Sequence, residues 1–185
     1  MRIVGGRHKG TALSAPKSQA IRPTSDRTRE AVFNILVHGS DMDIEGARVL
    51  DLFAGTGALG LEALSRGAAF ALFVDEGAEA RGLIRANIER LGQTGRTKVF
   101  RRDATKLGPL DRFQPFTLVF CDPPYGKGLG EKALASALGG GWLADGAVVV
   151  LEEDADAEIA VPDGFTEWDR RRYGDTVVVF LTASP

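Results

Sequence analysis

Asp122-Pro123-Pro124-Tyr125 puts a carboxylate, a proline carbonyl and an aromatic ring on consecutive residues, directly after the apolar run Thr117-Leu118-Val119-Phe120-Cys121. An exocyclic amine on a nucleic-acid base is a poor nucleophile, because its lone pair is delocalised into the ring. Acceptors that grip its N–H bonds draw the nitrogen toward a geometry whose lone pair points at a methyl donor. Asp122 and the Pro123 carbonyl are such acceptors, and Tyr125 offers a face for stacking. Guanine presents N1–H and N2–H side by side, two donors for an acceptor-only carboxylate. Adenine would set its N1 lone pair against that charge, so guanine is mildly favoured. Asp122, Pro123 and Tyr125 are the candidate catalytic residues.

Gly55-Thr56-Gly57-Ala58-Leu59-Gly60 matches the G-x-G-x-x-G nucleotide pattern between a strand and a helix. Asp75 lies 20 residues after Gly55, where an acid takes ribose hydroxyls. Taken alone, this pair favours NAD. Asp51, however, precedes the glycines at the strand end. A carboxylate there repels a pyrophosphate at the helix N-terminus and suits the ammonium group of S-adenosylmethionine. Asp103, with the Ala104 backbone beside it, is placed to receive an adenine amine. Phe53 and Glu76 adjoin these positions and complete the expected cofactor set of Asp51, Phe53, Gly55, Gly57, Asp75, Glu76, Asp103 and Ala104. Each feature also has a plainer reading: a structural glycine turn, Asp51 as a turn residue, Asp103 as a solvated loop acid.

The elements that must position these groups follow from pattern. Pro123 and Pro124 cannot donate ladder hydrogen bonds and fix their φ angles, so the Leu118–Cys121 strand ends there. Its carboxyl end is the edge where open α/β sheets bind ligands. Strands are expected at 48–53, 70–74, 97–100 and 147–151, with helices at 58–66, 79–91 and 131–138. Two final strands, 165–173 and 176–182, join at the hairpin signal Gly174-Asp175. This alternation predicts a doubly wound parallel sheet with an antiparallel addition. Residues 2–22 alternate weakly and suggest a small β-hairpin, and Ser25-Asp26 offers a cap for a helix that follows. Alternation turns Cys121 away from its neighbours into the core, and Trp142 reads as packing. The expected division is a basic extension over 1–22 and a catalytic domain over 23–185.

Composition removes other classes. No apolar run nears the roughly 18 residues of a membrane helix, and the N-terminus lacks the apolar core of a signal peptide. Cys121 is the one cysteine and there are two histidines, so neither a disulfide nor a metal site is expected, and the compartment reads as cytoplasmic. Net charge is −2, yet residues 1–30 hold seven Lys/Arg against two acids, +5, leaving −7 for the rest. A basic arm on an acidic body suggests a local polyanion contact.

With these residues assembled, the chain resembles the RsmD family, which methylates a guanine N2 in 16S, small-subunit, ribosomal RNA. The likeness runs through Arg2-Ile3-Val4-Gly5-Gly6, Arg22-Pro23-Thr24-Ser25-Asp26-Arg27-Thr28-Arg29-Glu30 and Phe33-Asn34. It continues in Asp51 to Gly67, Asp122-Pro123-Pro124-Tyr125 and Gly141-Trp142-Leu143. The glycine and Asp-Pro-Pro-Tyr motifs are common to many amino-methyltransferases; the Arg-Pro-Thr-Ser-Asp-Arg stretch is far more family-specific. The resemblance implies a class I, Rossmann-like S-adenosylmethionine-dependent methyltransferase sheet with its last strand antiparallel. It also implies RNA contacts from the N-terminal segment, at Arg7, Lys9, Arg22, Thr24, Arg27 and Arg29. The implied substrate is an assembled or assembling small ribosomal subunit, and a monomer is expected. After residue 152 the likeness is weakest, and the acidic Glu152-Glu153-Asp154 contributes no expected site residue. Methylation of DNA adenine or cytosine, a non-catalytic RNA-binding assembly factor and a nicotinamide-dependent oxidoreductase stay as alternatives.

Overall fold

Strand-forming and helix-forming segments alternate along the chain and stack as one sheet between helical layers. The computed structural model describes residues 1–21 and 23–184. Helix α1 spans Asp26–Gly39, followed by β1 (Arg48–Leu52), α2 (Ala58–Ser65), β2 (Phe70–Val74) and α3 (Ala78–Arg90). Then come β3 (Thr97–Phe100), β4 (Phe116–Cys121), α4 (Leu129–Gly139), β5 (Leu143–Asp154), β6 (Phe165–Tyr173) and β7 (Thr176–Ala183). The sheet order is β3-β2-β1-β4-β5-β7-β6. Strands β1 to β5 are parallel, and β7 inserts antiparallel between β5 and β6. The doubly wound sheet with an antiparallel addition is therefore as expected.

The central strands are apolar at nearly every position because both faces are covered. Val49, Phe73, Phe120 and Val150 pack toward α1, α2 and α3, whereas Leu50, Val119, Cys121 and Val149 pack toward α4. Cys121 thus lies in the core, and burial pushes its thiol well above the ordinary range. Trp142 is also buried, its indole donating to the Gly108 carbonyl at 2.8 Å. Helix α2 is buried at every position, including Glu62. Helix α1 starts on Ser25, whose hydroxyl accepts the Thr28 N–H at 3.1 Å, a standard N-cap.

The N-terminal hairpin is minimal: one bridge, Arg2 with Ala12, supported by an Ile3 N–H to Thr11 carbonyl bond of 3.0 Å. Ile3 and Leu13 belong to the same hydrophobic cluster as α1 and α2, which ties this segment to the body. Among the described residues, no helix is long and apolar enough to cross a membrane.

Candidate active site

The carboxyl ends of β1, β2, β3 and β4 open onto one cavity of about 610 Å³, within the usual range for small-molecule sites. Phe53 to Thr56 line it after β1, Asp75 and Glu76 after β2, Arg102 to Thr105 after β3, and Asp122 to Tyr125 after β4. Ala20, Ile21, Pro23 and Thr24 of the N-terminal segment lie across it. Four separate loops and the segment before α1 converge because parallel strands deliver all their C-termini to one edge.

The turn after β1 is held in an unusual backbone shape. Phe53 has φ 56°, a left-handed conformation that costs a non-glycine residue about 1 kcal/mol or more. Gly55 and Gly57 follow at φ 61° and 80°, where only glycine is unstrained. Asp75 fixes the turn from outside: its Oδ2 accepts the Gly55 N–H at 3.0 Å and its Oδ1 the Gly77 N–H at 2.8 Å. Asn87, fully buried, links the Thr56 carbonyl to Ser14 of the N-terminal segment.

Asp51 carries a structural bond beside the glycine turn. It does not line the cavity; it lies beneath the turn, and its Oδ2 accepts the Gly60 N–H at 3.0 Å. Helix α2 begins on Gly57, which has no capping side chain, so Asp51 satisfies one of its orphan donors. Burial pushes the Asp51 carboxyl well above the ordinary carboxylate range. Gly57 likewise shapes the turn without lining the cavity.

Asp103 accepts both the N–H and the hydroxyl of Thr105, at 2.9 and 2.7 Å, and those bonds hold its carboxyl below the usual range. Five acids line the cavity, Asp75, Glu76, Glu79, Asp103 and Asp122, against one described cation, Arg102. That balance opposes a pyrophosphate and favours a cationic ligand. S-adenosylmethionine, with its sulfonium, ammonium and ribose hydroxyls, fits this donor set; NAD does not.

The Asp122 loop is gripped from two sides. Thr24 Oγ1 lies 3.3 Å from Asp122 Oδ2 and 3.2 Å from Glu152 Oε2. The Tyr125 hydroxyl donates to Glu152 Oε1 at 2.7 Å and lies 3.2 Å from Thr176 Oγ1. The Gly126 N–H donates to Glu153 Oε1 at 2.9 Å. Burial raises the Tyr125 phenol well above its ordinary pKa, and the neighbouring Glu152 charge raises it further, so the phenol keeps its proton. Glu152 and Glu153 were not foreseen. The signal was the strand register: Cys121 pairs with Leu151, which sets Asp122 and Glu152 at one level.

The N-terminal arginines divide. Arg7, Lys9 and Arg27 are exposed, and Thr24 reaches the cavity. Arg22 lies outside the described residues. Arg29 does not fit the RNA contact expected of it: it is 0% exposed, with Nε 3.1 Å from Glu62 Oε1 and Nη2 2.8 Å from Asp26 Oδ1. Its guanidinium is committed to the fold.

One reversed strand in a parallel sheet of this order, with an acidic cavity and Asp-Pro-Pro-Tyr at the strand ends, defines a class I methyltransferase. The family described as conserved hypothetical protein 95 matches residues 1–182, and the chain belongs to it, the RsmD family. Ribosomal RNA small subunit methyltransferase D of Escherichia coli is 38% identical over 93% of this chain and 83% of its own length. A putative rRNA methyltransferase of Bacillus subtilis, YlbH, is 36% identical over 96% of each chain. The solved structure of the putative methyltransferase yhhF from Escherichia coli superposes with a TM-score of 0.84 at 32% identity. It covers 100% of this chain and 98% of that one.

Proposed function

We propose that the protein methylates the exocyclic N2 amine of one guanine in small-subunit ribosomal RNA, with S-adenosylmethionine as donor. The observation that carries this reading is the convergence of an acidic cofactor-sized cavity on Asp122-Pro123-Pro124-Tyr125. S-adenosylmethionine supplies an electrophilic methyl group when bound. The turn Phe53–Gly57 would hold its amino-acid end, Asp75 and Glu76 its ribose, and Asp103 with the Ala104 backbone its adenine.

Asp122 and the Pro123 carbonyl would accept the base N–H bonds, orienting the amine lone pair toward the methyl group. Tyr125, protonated and tethered, would stack on the base rather than act as a proton acceptor. A stacked target must leave its neighbours to reach this cavity, so the substrate nucleotide would be flipped. Arg7, Lys9, Arg22 and Arg27 would meet RNA phosphates, with Thr24 at the base. The protein would act as a monomer in the cytoplasm on an assembled or assembling small subunit, which the relatives' names support for the RNA.

The test offers purified protein and labelled S-adenosylmethionine three substrates: undermethylated small subunits, protein-free small-subunit RNA, and duplex DNA. Label in small-subunit RNA supports the reading; label confined to DNA overturns it.

A further inference from the structure

Two prolines stiffen the backbone of the Asp122 loop, but they leave χ1 and χ2 of Tyr125 free. A ring that stacks on a base must keep one plane, so its far end needs an anchor. That anchor is Glu152, one residue beyond the last β4–β5 pair, with Oε1 on the Tyr125 hydroxyl at 2.7 Å. The other oxygen, Oε2, lies 3.2 Å from the Thr24 hydroxyl, which also sits 3.3 Å from Asp122. A hydroxyl carries one proton, so Thr24 stands between two carboxylates that compete for it. The adjacent Glu153 holds the same loop by its backbone, at Gly126 N–H.

We propose that Glu152 is a positioning residue: it fixes the plane of the Tyr125 ring and draws the N-terminal segment, through Thr24, against Asp122. The inference rests on the reading of Asp122–Tyr125 as the loop that holds the base. Glu152 does not line the cofactor cavity. Its loss is therefore expected to fall on the geometry of the base far more than on cofactor binding, which Glu152 reaches only through Thr24 and Tyr125. A glutamine at this position keeps one oxygen acceptor for the phenol, which alanine lacks.

The experiment compares Glu152→Ala, Glu152→Gln, Tyr125→Phe and the Tyr125→Phe/Glu152→Ala double variant. Turnover is measured on undermethylated small subunits, and cofactor Kd separately. Glu152→Ala is expected to lose roughly tenfold to a hundredfold in kcat, the scale of a misplaced reacting group, with cofactor Kd within about twofold. Glu152→Gln recovers part of the loss. The double variant is no slower than the slower single one, because both remove one tether. A Glu152→Ala rate within about twofold of wild type, or losses that multiply in the double variant, would overturn the proposal.

A second readout does not need the substrate to be right. The chain has two tyrosines, so protein labelled with carbon-13 at tyrosine Cζ gives two resonances, and Tyr125→Phe identifies one. Glu152→Ala is expected to shift the Tyr125 resonance and leave Tyr173 in place. An unmoved Tyr125 resonance refutes the tether even if small subunits prove not to be the substrate. Failure of wild type on small subunits, with the resonance shifting as expected, refutes the substrate and keeps the tether.

Discussion

Arg29 and Glu62 form an ion pair closed to solvent, Nε to Oε1 at 3.1 Å, with both side chains 0% exposed. The pair joins α1 to the middle of α2. Glu62 also accepts the Val4 and Gly5 N–H groups at 3.0 and 2.9 Å and Arg66 Nε at 2.9 Å. Arg29 in turn donates to the carbonyls of Thr24 and Arg2. One buried carboxylate thereby fixes the N-terminal segment on the body.

Removing one partner of a buried pair strands the other charge, at a cost of about 3–5 kcal/mol. Arg29→Met is expected at the low end, about 3 kcal/mol, because Glu62 keeps Arg66 and two backbone donors. Urea denaturation measures the loss. Hydrogen exchange at Val4 and Gly5 should rise more than in the central strands.

Gly60 looks improvable, since alanine in a helix gains about 1 kcal/mol over glycine. A Cβ there would meet Phe73 Cε1 at 2.5 Å, a ring fully buried in the core. Overpacking of this kind costs about 1–3 kcal/mol. Gly60→Ala is therefore expected to lower the urea midpoint and weaken cofactor binding through the turn, whereas a raised midpoint would refute the packing argument.

Asp51 gives a pH signature. Its folded-state pKa is raised by burial above the ordinary 3.8, so the folded protein binds this proton more tightly than the unfolded chain. That contribution to stability is present below about pH 4 and is lost as pH rises toward the folded pKa. Asp51→Asn cannot titrate, yet its amide oxygen still accepts from Gly60. The Tm of Asp51→Asn relative to wild type should rise as pH goes from about 4 to 8. A difference independent of pH would mean that Asp51 is not held in this way.

Much of this molecule was legible in the sequence because local rules decide it. Strand ends at Pro123, the two-residue turn at Gly174-Asp175 and the glycine turn each follow from backbone chemistry of neighbouring residues. Side-chain burial and pairing between elements are less legible, because they depend on how those elements pack. Arg29 is expected at RNA but is buried, because its partner Glu62, 33 residues away, lies in a helix that packs against α1. Pattern does not show that Asp51 also accepts the Gly60 N–H, since that bond depends on how the strand end packs under the turn. Glu152 was passed over inside an acidic stretch, since only the β4–β5 register brings it level with Asp122.

The central claim is that Asp122 holds a guanine amine for transfer of a methyl group. The measurement is nucleoside analysis of small-subunit RNA after incubation with labelled S-adenosylmethionine and either wild-type protein or Asp122→Ala. Wild type should place the label in N2-methylguanosine at one site. Asp122→Ala should bind the cofactor within a few-fold of wild type and lose transfer by roughly a hundredfold or more. Label in N6-methyladenosine, or an undiminished rate in Asp122→Ala, would contradict the account.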